Sequence, residues 1–163
     1  ISGRLNPERG GPGALLDVPG DVAEGFEFFK WFPSPESEQR RRTVYTFQRR
    51  SVVMPMMETF DVANMNESCS RRNATTVAPQ ALTLANGRLT NEEARHLAAR
   101  VAEKTGADRN QQVDEMFRLA LSRSPSAAER TRALELLAAA GPEEGLMRLG
   151  VVLFNLNEFL YVE

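Results

Sequence analysis

Residues 90–142 read TNEEARHLAARVAEKTGADRNQQVDEMFRLALSRSPSAAERTRALELLAAAGP, and this stretch decides the fold. Thr90 and Glu93 have capping-box spacing: a hydroxyl that can accept the third amide of a helix, and a carboxylate that can return to the first. Ala94, Leu97, Ala98 and Val101 then repeat at helical period, and Gly106 supplies a stop. Asp108 is the next cap, with Gln111 at the reciprocal position and an apolar stripe of Val113, Met116, Phe117, Ala120 and Leu121. Ser126 and Glu129 repeat the box ahead of Leu134, Leu137 and Ala138. Gly141 and Pro142 end that helix and open the last, whose core face is Leu146, Leu149, Leu153 and Leu156. The reading is a bundle over 90–163, four helical neighbours joined by short loops.

Working outward, the fold class expected is mainly α, with a long irregular, loop-rich N-terminal half over 1–89. The 163 residues suit one domain with a core, and 42% apolar against 26% charged residues is a globular balance. A net charge of −2 lacks the basic excess of a nucleic-acid binder. Cys69 is the single cysteine, so neither an intrachain disulfide nor a Cys-x-x-Cys-His haem attachment is available. No apolar run is long enough to span a membrane. The opening IleSerGlyArgLeuAsnPro looks like neither an initiator nor a signal peptide, which suggests a fragment of a larger multidomain protein.

Residues 1–20 are rich in glycine and proline, the chemistry of turns. Phe26, Phe28, Phe29, Trp31 and Phe32 form an aromatic patch suited to anchoring this arm. Both alternation and helical spacing fit residues 40–50; a short helix is expected there, because no partner strand is evident.

Residues 40–84 combine seven arginines with Tyr45, Phe47, Phe60 and four methionines, as expected of irregular backbone fixed by side-chain hydrogen bonds. Here ArgArgThrValTyrThrPhe at 41–47, PheAsp at 60–61, SerCysSerArgArgAsn at 68–73 and ThrThrValAlaProGlnAlaLeu at 75–82 resemble the C-terminal part of the planctomycete-specific domain one family. The resemblance extends weakly from SerGlyArgLeuAsnPro to the AsnGluPhe region near the end. That family is a domain of unknown function in large planctomycete proteins that often carry a c-type cytochrome domain. The resemblance implies export to the periplasm or cell surface, and preceding domains of the same polypeptide as partners. It supplies no catalytic residues.

Four constellations could carry chemistry. Arg41, Arg42, Arg71 and Arg72, with Glu58 and Asp61, could hold an anion or a partner; the plainer reading pairs the arginines with Asp61, Glu58, Glu67 or loop carbonyls. Glu58, Asp61 and Glu67 with Asn64 and Asn66 could do acid–base work, but fit turns and caps better. Cys69 with His96 lacks the surroundings of an activated thiol, and His96 falls on a charged helix face. Asn155, Asn157, Glu158 and Tyr161 are expected to tie the last helix to the irregular segment. No phosphate loop, zinc motif, calcium loop or nucleophile elbow is present, so neither metal nor cofactor is expected in this fragment.

The function expected is a non-catalytic helical scaffold or interaction module of an exported, cytochrome-linked protein. The rival is a half-site for an anion or a sulfated carbohydrate in a polysaccharide-processing enzyme, with anionic polysaccharide as partner. Ser126→Ala is expected to cost about 1 kcal/mol by removing a cap. Chemical denaturation measures the loss, and a helix starting more than a turn from Ser126 would contradict the assignment.

Overall fold

The computed structural model describes residues 1–18, 31–49, 54–63 and 78–161. These divide between two compact units, Arg4–Thr76 and Ile1–Gly3 with Val77–Glu163. Among the described residues the chain is mainly helical and has no strand longer than an isolated bridge.

In the unit Arg4–Thr76, α1 is Glu36–Gln39, a single 3-10 turn spans Thr43–Tyr45, and α2 is Pro55–Thr59. The α-helix expected over 40–50 does not form. The strand partner that the sequence hides is the glycine-rich arm: Asn6 bridges Arg41 and Ala14 bridges Thr46, both in parallel sense. Ala14 N–H donates to the Tyr45 carbonyl and Phe47 N–H to the Ala14 carbonyl, each at 2.8 Å. The 3-10 turn fills the gap between the two bridges, so neither regular period takes over. Side chains complete the seam. Leu15 N–H donates to Ser34 Oγ at 3.0 Å, Asp17 N–H donates to Gln39 Oε1 at 2.9 Å, and Gln39 Nε2 donates to the Ser34 carbonyl at 2.7 Å. Trp31 is buried, donates its indole N–H to the Leu16 carbonyl at 2.8 Å, and lies 6.3 Å from the Phe47 ring. It is the anchor expected of the aromatic patch. Phe32 is exposed, and Phe26, Phe28 and Phe29 lie outside the described residues.

The second unit holds α3 (Ala78–Asn86), α4 (Arg88–Thr105), α5 (Arg109–Leu121), α6 (Ala127–Ala140), α7 (Pro142–Phe154) and α8 (Asn157–Leu160). Helix α3 corrects the irregular reading of 1–89. Its buried positions are Gln80 and Leu84, one of them an amide. Thr90 is not a cap: α4 begins at Arg88 behind Gly87, and Thr90 is buried one turn in. The break at Gly87 has no room for a side chain, since a Cβ there would lie 2.3 Å from the Thr83 carbonyl oxygen.

The boundaries at Gly106, Asp108, Ser126 and Gly141 follow the sequence signals, but the last helix, expected to carry Leu156 on its core face, ends at Phe154, and Leu156 instead precedes the short helix α8. Asp108 accepts from Asn110 N–H and Gln111 N–H, and the Gln111 amide meets the Asp108 carboxylate rather than its backbone. Ser126 and Glu129 form the full reciprocal box, with α6 starting at Ala127. Gly106 and Gly141 end α4 and α6 at positive φ.

The core joins α4, α5, α6 and α7 through Ala94, Leu97, Val101, Val113, Met116, Phe117, Leu137, Leu146, Leu149 and Leu153. A fully buried leucine such as Leu97, Leu137 or Leu153 contributes roughly 1.5–3 kcal/mol. On α6 the inward positions are Ala133 and Leu137; Ala138, expected inside, is exposed. Helix α7 approaches its neighbours closely through glycine. A Cβ on Gly145 would lie 2.8 Å from Leu137 Cα of α6, and one on Gly150 would lie 3.1 Å from Ala94 Cβ of α4.

Gly145→Ala is therefore expected to destabilise the chain by about 1–3 kcal/mol through overpacking against backbone. Ser122 terminates α5 at φ 58, where an L side chain is strained and glycine is not. Ser122→Gly is expected to raise stability by about 0.5–1 kcal/mol. Thermal melts of both variants check the two signs; a stable Gly145→Ala would mean that α7 can back away from α6.

Candidate functional site

The arginine cluster falls only partly within the described residues. Of its members, Arg71 and Arg72 lie outside the described residues, as do Arg50, Asn64, Asn66, Glu67 and Cys69. Arg41 is described, and only 8% of its surface is exposed. It sits two residues before the 3-10 turn, opposite the glycine-rich arm. Its Nη1 donates to the Pro12 carbonyl at 3.2 Å and to Glu38 Oε2 at 3.2 Å, and its Nη2 donates to the Gly10 carbonyl. The guanidinium carbon stands 4.4 Å from the centre of the Tyr45 ring. One planar fork thus gathers two loop carbonyls, a carboxylate and an aromatic face, which a lysine could not reproduce. Gly10 and Gly11 both have positive φ, and that kink turns the arm's carbonyls toward the fork.

Arg42, next in sequence, is exposed. Nearby, Glu36 receives Arg4 as well as Arg40 Nη2, the latter at 3.2 Å.

Glu58 and Asp61 close helix α2. Asp61 N–H donates to the Glu58 carbonyl at 3.1 Å, and Val62 N–H donates to the Met57 carbonyl at 3.0 Å. Asp61 holds φ 55, the left-handed position that follows a helix end. Aspartate tolerates this conformation better than most residues do. The turn reading of this pair describes its backbone well. The fork of Arg41 goes to Glu38 and the arm rather than to Glu58 or Asp61.

His96 is exposed on α4, on the charged face expected for it. Asn155 donates back to the Val151 carbonyl of its own helix at 2.9 Å. Tyr161 does reach the segment that carries the resemblance, donating its hydroxyl to Gln80 Oε1 at 3.3 Å.

Two ion clusters were not singled out from the sequence. Glu115 is nearly buried; its Oε1 accepts from Lys104 Nζ at 2.8 Å and from Arg118 Nη2 at 2.5 Å, and its Oε2 accepts from Arg118 Nε at 2.8 Å. The second centres on Arg123, in the loop between α5 and α6. Its Nη1 and Nη2 hold Glu129 at 3.0 and 2.8 Å, and its Nε and Nη2 hold Glu158 at 2.7 and 2.8 Å. The guanidinium also lies 5.6 Å from the centre of the Phe117 ring. Glu115 was legible as a three-residue pairing with Arg118 on one helix. The pairing of Arg123 with Glu158 spans 35 positions of the chain and leaves no local signal.

These contacts set the acid–base properties. Hydrogen bonds from Arg118, then Lys104, hold the Glu115 carboxyl down to about 2. Hydrogen bonds from Arg123, then Ser126, hold Glu129 down to about 2, and Arg123 lowers Glu158 as well. Among the described residues no group of histidine, cysteine and carboxylate side chains is arranged to hold a metal. No described helix is long and apolar enough to cross a membrane.

A carboxyl depressed in the folded state stabilises it above the unfolded value and loses that contribution as pH falls. Stability should therefore be full above about pH 5 and decline as pH falls from 4.5 toward about 2. In Glu115→Gln that decline should be shallower, as melting curves across pH will show; an unchanged slope would mean that Glu115 gains nothing from its two partners.

No curated protein and no solved structure matches the chain. The sequence model of the PSD1 family, described as a protein of unknown function (DUF1553), matches residues 1–137. The match spans all the segments at 41–82 that suggested the resemblance and stops within α6, so the AsnGluPhe region lies beyond it. On that coverage, the chain belongs to the PSD1 family, a family of unknown function.

Proposed function

We propose that this chain is a non-catalytic scaffold or interaction module, whose polar segment organises its own unit rather than receiving a substrate. The observation that carries the reading is the state of Arg41. Its guanidinium is buried; both terminal nitrogens are held by Gly10, Pro12 and Glu38, with the Tyr45 ring alongside, all within the same unit, while its buried Nε has no hydrogen-bond partner among the described residues. A substrate carboxylate or sulfate would have to displace those partners. The ion clusters of the other unit support the same reading, since Glu115 and Arg123 are each saturated by intrachain groups. The resemblance stated above adds the setting we propose: a larger exported protein with a cytochrome domain elsewhere, and preceding domains of the same polypeptide as partners.

Arg41→Ala tests the reading. Truncation leaves the Gly10 and Pro12 carbonyls without their donor, and the expected cost is roughly 1–3 kcal/mol. Arg41→Lys should restore only part of it, because a point charge cannot serve three acceptors in a plane. Arg42→Ala, at an exposed position, should leave stability near wild type. Retention on a sulfated-polysaccharide column is the second readout, and under the scaffold reading neither variant changes it. If Arg41→Ala melts like wild type while either variant loses retention that the wild-type chain shows, the anion-binding half-site replaces the scaffold.

A further inference from the structure

We propose that residues Leu156–Tyr161 form a strap that opens independently of the bundle, with the Arg123–Glu158 ion pair as its latch. Helix α8, Asn157–Leu160, has four residues, and Leu156 at its start offers no capping side chain. A helix of one turn does not persist alone, so its order comes from what it touches. Leu156 and Phe159 pack against the core, and three side-chain pairings add to this. Phe159 lies against Phe154 of α7, with ring centres 5.0 Å apart. Tyr161 donates to Gln80 of α3 at 3.3 Å. Glu158 receives Arg123 through both oxygens, at 2.7 and 2.8 Å.

Arg123 is built to act as the fixed half of this latch. It is also attached to Glu129 by two hydrogen bonds and faces Phe117. Glu129 is itself held by Ser126 N–H at 2.7 Å, in the box that starts α6. The fork is thus anchored on the bundle, and Glu158 is the partner that can leave. Both side chains of the latch are partly exposed, 36% for Arg123 and 47% for Glu158, so salt screens the pair. Opening removes Phe159 from Phe154, which is otherwise buried.

Hydrogen exchange on the whole chain tests the strap. The reporters are the amides of Phe159, Leu160 and Tyr161, bonded to Leu156, Leu156 and Asn157 at 2.9, 3.3 and 2.8 Å. Glu158→Gln should speed their exchange roughly threefold to tenfold while the amide of Val101 in α4 keeps its rate. Raising sodium chloride from about 0.01 M to about 1 M should speed them in wild type and hardly at all in Glu158→Gln. The strap is refuted if Glu158→Gln leaves the three amides unchanged. It is refuted equally if Val101 accelerates by the same factor, since the segment would then open with the bundle as one unit.

Discussion

The bundle depends on how closely α7 can lie against α4 and α6. Gly145 sits over Leu137 and Gly150 over Ala94, at separations that leave no room for a further carbon on Gly145 and little on Gly150. That approach brings Leu146, Leu149 and Leu153 into the space between the helices, where Leu97, Val101, Met116 and Leu137 close around them. Were α7 to stand off by the width of a methyl group, the side chains between it and its neighbours would lose contact on one side, and dispersion falls steeply with such a gap. Two missing side chains are thus the condition for the burial of many others.

The two units reach order by different means. In Val77–Glu163 it comes from apolar stripes at helical period and from caps that satisfy helix ends. In Arg4–Thr76 the described elements are a few residues long, and order comes from side chains reaching across to backbone. Ser34, Gln39 and Arg41 do in this unit what caps and ladders do elsewhere: they give loop N–H and C=O groups their partners. Arginine suits this duty, because one group serves several acceptors. The near absence of lysine from the chain, with Lys30 and Lys104 its two examples, is consistent with that duty.

What was legible in the sequence follows the same division. Asp108, Ser126 and Gly141 could be placed because a cap is a local device; the partner is two or three residues away. Thr90 misled because its spacing to Glu93 satisfies the same rule, whereas the helix had already begun at Arg88. The competing signal was Gly87, a residue forced by a neighbouring carbonyl and not by its own dihedral angle. Helix α3 escaped notice because Gln80 occupies a core-facing position, bonded to a tyrosine far along the chain. Arg41 could be marked as unusual from composition alone. Its partners Gly10 and Pro12 could not be named, because the pairing of the arm with 41–46 is parallel and nonlocal.

That distinction bears on function. An arginine-rich segment reads in sequence as a surface for anions, and the reading holds only while its forks are free. The terminal nitrogens of Arg41 are held by its own chain, and Arg118 and Arg123 are paired with carboxylates that they hold well below the usual range. A group that has already traded its hydration for protein partners gains little from exchanging them for an equivalent ligand, because the loss of the old contacts cancels the new. Among the described residues, Arg41, Arg118 and Arg123 each satisfy backbone carbonyls or carboxylates of their own chain. Binding capacity has to be sought in groups that folding leaves exposed, such as Arg42 and Phe32.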